Sequence, residues 1–289
     1  MRWGDLRQSD NVEDRRGMGG GGMRMGGGIG IAGLLIVGVI SWATGLDPRM
    51  ILGGLEMIQG GGQQTGSQQA GRQGTPTDET GKFVASVLGS TEDVWTQIFQ
   101  QNGQAYQKPR LVLFTGATQT ACGLGQSAMG PFYCPPDKRV YLDTSFFKEM
   151  EQRFRAPGDF ASAYVVAHEV GHHVQNLLGI MDKVNQQRER GSRAEANALS
   201  VRLELQADCL AGVWGSKTQQ QGKLDAGDIE EALNAATAIG DDRIQRQTQG
   251  QVVPDSFTHG SSAQRVRWFR AGLEGGSIKN CNTFAAQQL

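Results

Sequence analysis

Two histidines four residues apart with a glutamate between them, His168-Glu169-Val170-Gly171-His172, carry the most specific chemical signal in this 289-residue chain. On a helix, positions i and i+4 share a face, so both imidazoles aim at one point, and Glu169, turned by about 100°, sits beside it. Imidazole is a good ligand for zinc, which lowers the pKa of a bound water to about 7; an adjacent carboxylate can take that water's proton as it attacks a carbonyl. Shuffling the 4 His and 13 Glu over 289 positions produces this pattern roughly 0.002 times. Gly171 costs about 1 kcal/mol against alanine inside a helix, which predicts a backbone or substrate passing close there.

Two imidazoles do not hold a catalytic ion tightly. The metzincin continuation needs glycine and histidine at offsets that here hold Gln175 and Leu178, which excludes that subclass. Further on, Glu204-Leu205-Gln206-Ala207-Asp208 again puts two carboxylates on one helix face. Glu204 is the expected third ligand of a single Zn2+, with Asp208 accepting the remaining N–H of a ligating histidine. His173, one step round from a ligand, reads as a packing or surface residue. His259, in a loop before a helix carrying Arg265, Arg267 and Trp268, is a candidate catalytic donor to the negative charge that builds on a carbonyl oxygen during amide hydrolysis.

These residues need helices to hold them. The pattern predicts one over about 160–178, capped by Asp159 and stopped by Gly179, and others over Ser192–Gly222, Asp228–Ile239 and Ser262–Leu273. Upstream, Phe83 to Leu88 predicts a short helix, and Ser90 with Asp93 looks like the cap of a second. Leu111–Phe114 and Val140–Leu142 read as strands separated by turns and a hairpin. The expected fold is α+β: a mainly helical zincin-like domain over 81–289 with a small antiparallel sheet.

The first quarter differs in composition. Of 42 glycines, 21 lie in residues 1–80. Residues 1–28 read as a disordered cytoplasmic head. The 18 uncharged residues Ile29–Leu46 would reach roughly 27 Å as a helix, enough for one membrane span. Ala43-Thr44-Gly45 is a poor cleavage site, so an uncleaved anchor is expected. Arg15, Arg16 and Arg24 outnumber Arg49 across the run, favouring a cytoplasmic N-terminus and a periplasmic domain at the bacterial inner membrane. Residues 47–80 read as a Gly/Gln-rich linker. Gly28, Gly30 and Gly33 match GxGxxG, but no strand precedes them, so a nucleotide site is not expected. Net charge is -1, which does not favour a nucleic-acid partner. Four cysteines allow three pairings; Cys122–Cys134 and Cys209–Cys281 are favoured, outside the cytosol.

The chain resembles the bacterial family labelled putative neutral zinc metallopeptidase. The likeness rests on Met1-Arg2-Trp3, Ser9, Asn11 to Gly17, the glycine tract and apolar run, Gly130 to Pro135, Val140 to Asp143 and His168 to Gln175. It is also similar to gluzincin peptidases, which follow HExxH with ExxAD and a late histidine and arginine six positions apart. That resemblance implies ligands His168, His172 and Glu204, base Glu169, orienting Asp208, and His259 with Arg265 as substrate or transition-state support. It also implies an extended substrate beside Gly130–Asp143. Gly260 departs from it, standing where those peptidases usually have proline. The function expected is membrane-anchored zinc endopeptidase acting on proteins or peptides. The competing classes are a non-catalytic zinc-stabilised envelope binding or assembly protein, and a zinc amidase acting on cell-wall peptides.

Overall fold

The computed structural model describes residues 1–17 and 71–289; the expected span, the GxGxxG string and linker residues 47–70 fall outside them. The described residues form one unit, and among them no helix is long and apolar enough to cross a membrane. A five-stranded sheet runs in the order β2-β1-β3-β7-β6, with β1 Val12–Asp14, β2 Arg72–Gln73, β3 Arg110–Phe114, β6 Phe132–Cys134 and β7 Arg139–Asp143. β4 (Ala117–Thr120) and β5 (Gly123–Gln126) form a separate hairpin. β1, β3 and β7 are parallel, with Leu111 opposite Val140 and Leu113 opposite Leu142. The sheet is therefore mixed rather than antiparallel. The hairpin and β6 lengthen the β3–β7 connection enough for the crossover that parallel neighbours require.

Both faces of the sheet are covered. Leu111, Leu113, Val140 and Leu142 join the main core, whereas Val112, Phe114, Cys134 and Tyr141 pack with Phe132 in a second cluster. Double coverage is why β3 and β7 read as continuous apolar runs.

Residues 1–17 are not a mobile head. Val12 is 1% exposed, and the Ser9 hydroxyl and Asn11 amide donate to the fully buried Glu92 at 2.6 and 2.7 Å. Arg15 pairs with Glu13 at 2.8 Å, and Arg16 with Asp14 at 2.7 Å. The glycine tract dominates the composition of 1–28 and masks a short segment in which these side chains find partners.

The helices are α1 (Glu79–Gln101), α2 (Ser145–Gln152), α3 (Asp159–Leu177), α4 (Ile180–Arg190), α5 (Arg193–Gln220), α6 (Asp228–Ala238), α7 (Asp241–Gln249) and α8 (Ser262–Gly275). Those expected near 160–178, 192–222, 228–239 and 262–273 correspond to α3, α5, α6 and α8. α5 starts at a capping box of Ser192 and Glu195. At the start of α3 the Phe160 amide donates to Glu231 at 3.0 Å, while Asp159 lies in the first turn instead of capping. α1 is one helix rather than two. Ser90 lies inside it and accepts the Trp214 indole N–H at 3.0 Å, while Val87, Leu88, Val94 and Trp95 carry the buried face across it. Burial overrides the local cap signal.

α5 and α8 approach closely. A Cβ added at Gly272 would collide with the Cys209 carbonyl, and one at Gly212 with the Phe269 carbonyl. The Cys209–Cys281 disulfide ties α5 to the turn after α8. Gly272→Ala is expected to destabilise the fold by about 1–3 kcal/mol through overpacking, despite alanine's better helix propensity. The measurement is a lowered urea midpoint at unchanged slope; an unmoved midpoint would show that the helices can separate freely.

Candidate metal centre

α3 and α5 face each other where Gly171 meets Ala207: a Cβ at Gly171 would lie 3.0 Å from the Ala207 carbonyl. The close approach inferred from that glycine is thus the backbone of the next long helix. It brings Glu204 onto the two imidazoles. Glu204 Oε2 lies 3.1 Å from His168 Nε2 and 3.4 Å from His172 Nε2, and the three donor atoms fall within 4.8 Å of one another. Zinc bonds of about 2.0–2.2 Å in tetrahedral geometry place donors roughly 3.4 Å apart, so this set fits the ion.

Each of the two imidazoles is held from behind. His168 Nδ1 donates to Asp208 Oδ1 at 2.8 Å, and His172 Nδ1 donates to Gln175 Oε1 at 2.8 Å. Gln175 Nε2 in turn donates to the Leu203 carbonyl at 2.7 Å, and Gln206 donates to the Cys281 carbonyl at 2.8 Å. These bonds fix the tautomer that leaves both Nε2 atoms free for a cation.

Electrostatics agree with a cation site. Burial opposes charging of His168, yet Asp208 and Glu204 push its pKa up to about 10. Burial likewise disfavours ionised Glu204, but His172 and His168 hold its carboxyl well below the usual range. Glu169 differs: burial raises its pKa against the opposing pull of His168 and His172. Protonation of His168 is thus favoured where a metal would bind, so a proton competes with the ion for the site. Zinc binding to metal-free protein is expected to release about one proton per ion, read by calorimetry in two buffers of different ionisation enthalpy. Equal heats in both would contradict this.

His259 lines the cleft and its side chain is 52% exposed. Its Nδ1 donates to Asp241 Oδ1 at 3.2 Å, and the backbone amides of Thr258, His259 and Gly260 donate to Asp241 Oδ2 at 2.7, 2.6 and 3.1 Å. The Asp241 hydrogen bond raises the His259 pKa against burial. Gly260 has φ +94°, which proline cannot adopt, so this loop follows its own path where gluzincins carry proline. Arg265, expected to support substrate, has its guanidinium committed to Asp208, with Nε and Nη2 each at 2.9 Å. Tyr164 donates to the same carboxylate at 2.6 Å.

Tyr164, Gln175 and Asp241 escaped sequence reasoning. Tyr164 lies four residues before His168 and Gln175 three after His172, so helical spacing was their available signal; Asp241 had none. His173 is fully buried in the core, as expected of a packing residue. Its Nε2 donates to the Gln107 carbonyl at 2.6 Å, and it accepts from the Tyr133 hydroxyl at 3.0 Å; burial lowers its pKa to about 4.

His168, His172 and Glu204 open on a cleft of about 500 Å³. Its walls include Phe146, Phe154, Val165, Met181 and Ile244, and Gly130–Tyr133 at the sheet-edge strand β6 form another side.

Helices that bring two histidines and a glutamate together with a glutamate beside them define a candidate metal centre of the His2Glu class. The chain belongs to the putative neutral zinc metallopeptidase family, whose model matches residues 1–284. It is 54% identical to the Escherichia coli (strain K12) protein YpfJ over 98% of this chain and 99% of that one. It is also 44% identical to the Mycobacterium tuberculosis (strain H37Rv) protein Rv2575 over 71% of each. No solved structure matches it. The family implies zinc, and His168, His172 and Glu204 form a cluster that could hold a metal ion.

Proposed function

We propose that this protein is a zinc-dependent endopeptidase. The observation that carries the reading is the convergence of three protein donors, with Glu169 beside them, on an open cleft. Structural zinc sites usually have four protein ligands, whereas catalytic sites have three and keep a position for water. Zinc held by His168, His172 and Glu204 would lower the pKa of a bound water and polarise the scissile carbonyl. Glu169, its pKa raised by burial, takes a proton from the attacking water and returns it to the leaving amine. His259, oriented by Asp241, donates to the carbonyl oxygen as negative charge develops. The β6 edge offers backbone pairing to an extended peptide, and the apolar walls favour bulky apolar side chains beside the scissile bond.

A peptide-library digest with chelator, and again after zinc is restored, tests this reading. Expected is zinc-dependent internal cleavage, faster by about 10–200-fold beside large apolar residues than beside small ones. Absence of turnover by zinc-loaded protein across the library would support a structural zinc role instead. His259→Phe is expected to lower kcat by about 10²–10³ with zinc retained; unchanged kcat would remove His259 from the mechanism. The Cys122–Cys134 and Cys209–Cys281 disulfides support an oxidising, extracytoplasmic setting.

A further inference from the structure

We propose that residues 1–17 and 71–289 occupy one compartment, so that the chain does not cross a membrane once between them. β1 is an inner strand. It pairs in parallel with β3, Val12 opposite Leu111, and antiparallel with β2, Glu13 opposite Gln73. β1 and β2 thus form a hairpin whose connection is residues 18–70. The Gly71 amide donates to Glu13 Oε1 at 3.3 Å, and a Cβ built on Gly71 would lie 2.9 Å from the Asp14 carbonyl. The chain leaves the fold and re-enters it at adjacent points.

A segment whose two ends emerge side by side crosses a bilayer an even number of times. Two crossings by helices take about 40 predominantly apolar residues. The uncharged run has 18, and Asp47, Arg49 and Glu56 follow it. A single crossing, the number that 18 residues could supply, is therefore at odds with the fold.

Placing residues 1–17 on the opposite side would dismantle buried polar contacts. The fully buried Glu92 accepts from Ser9 at 2.6 Å, Asn11 at 2.7 Å and Arg7 at 2.7 Å. Glu13, 3% exposed, is held by Arg15 at 2.8 Å and by Arg139 of β7 at 3.2 Å. The inner edge of β3 would also open to solvent. Arg16, counted at sequence level as marking the cytoplasmic face, is instead bound to Asp14 at 2.7 Å and Asp78 at 2.6 Å. This topology does not depend on the proposed peptidase activity.

The test uses the full chain in bacterial cells. Single cysteines are introduced at exposed positions, Gln8→Cys and Asp10→Cys near the N-terminus, Glu189→Cys in α4 and Gln219→Cys in α5. Each variant is treated with a membrane-impermeant maleimide in intact spheroplasts and after lysis; the native cysteines are in disulfides and do not react. Expected is the same intact-to-lysed labelling ratio, within threefold, at all four positions. A ratio differing by more than threefold between the N-terminal pair and the helical pair would place them on opposite sides and overturn the proposal. Two positions in each stretch guard against one variant that fails to fold.

Discussion

Replacing Glu169 with glutamine is expected to lower peptide hydrolysis by about 10²–10⁴-fold, the range general-base catalysis supplies, while zinc stays bound in full. The two effects separate because Glu169 is not among the converging donors, which are His168, His172 and Glu204. Glutamine keeps the shape of the side chain and removes its ability to accept a proton. By contrast, Glu204→Ala takes away a ligand and should lose both zinc and activity. Metal analysis after dialysis, paired with cleavage of a fluorogenic peptide with apolar residues around the scissile bond, distinguishes the cases. Cleavage persisting in a pure Glu169→Gln preparation would sink the assignment of this residue as base. A library digest in which the wild type also fails would point to a non-catalytic zinc site.

Arg265→Met should produce the largest stability change. Arg265 is 3% exposed and holds the fully buried Asp208 through two hydrogen bonds of 2.9 Å. Without it, the carboxylate keeps Tyr164 and His168 but loses its compensating charge. Breaking a buried pair in this way costs about 3–5 kcal/mol, or a fall in Tm of roughly 6–20 °C for a domain of this size. Because Asp208 orients His168, zinc affinity should also fall by about 10–100-fold. Lysine cannot reproduce the two-pronged contact, so Arg265→Lys should recover the protein only in part.

The pH dependence of that effect has a definite sign. Burial alone would raise the pKa of Asp208, but Arg265 and His168 lower it from 3.8 to about 2. A carboxylate with a depressed folded-state pKa adds stability above its unfolded value and loses it as pH falls through the folded one. The gap between wild type and Arg265→Met should therefore be full at neutral pH and close between about pH 4 and pH 2. A gap independent of pH would mean that Arg265 acts by packing rather than by charge.

Helical spacing made the four converging groups legible, although it left Tyr164 and Gln175, which lie at helical spacing from the two histidines, unremarked. His168 and His172, and Glu204 and Asp208, are four-residue pairs whose convergence needs only that two helices face each other, and the tight glycine at 171 hinted that they do. Asp241 was illegible because it reaches His259 across 18 positions from a short polar helix with no periodic signal. Arg265 was placed near the site, but its two-pronged contact with Asp208 was not legible, since sequence spacing does not say toward which carboxylate a guanidinium turns. The sheet failed for a similar reason. Apolar runs identify β3 and β7, but their parallel direction follows from the path of the chain between them. β1 was lost because three residues, Val12-Glu13-Asp14, carry too little hydrophobicity to outweigh the glycines that follow.

The adjacency of β1 and β2 bears on how a recombinant version should be cut. Starting a polypeptide after an N-terminal apolar run is a customary way to free a protein from lipid, but starting this one at residue 71 would delete an inner strand and the partners of Glu92. Excision of residues 18–70, with a short Gly/Ser turn bridging Gly17 to Gly71, keeps every strand and helix of the described residues in the polypeptide.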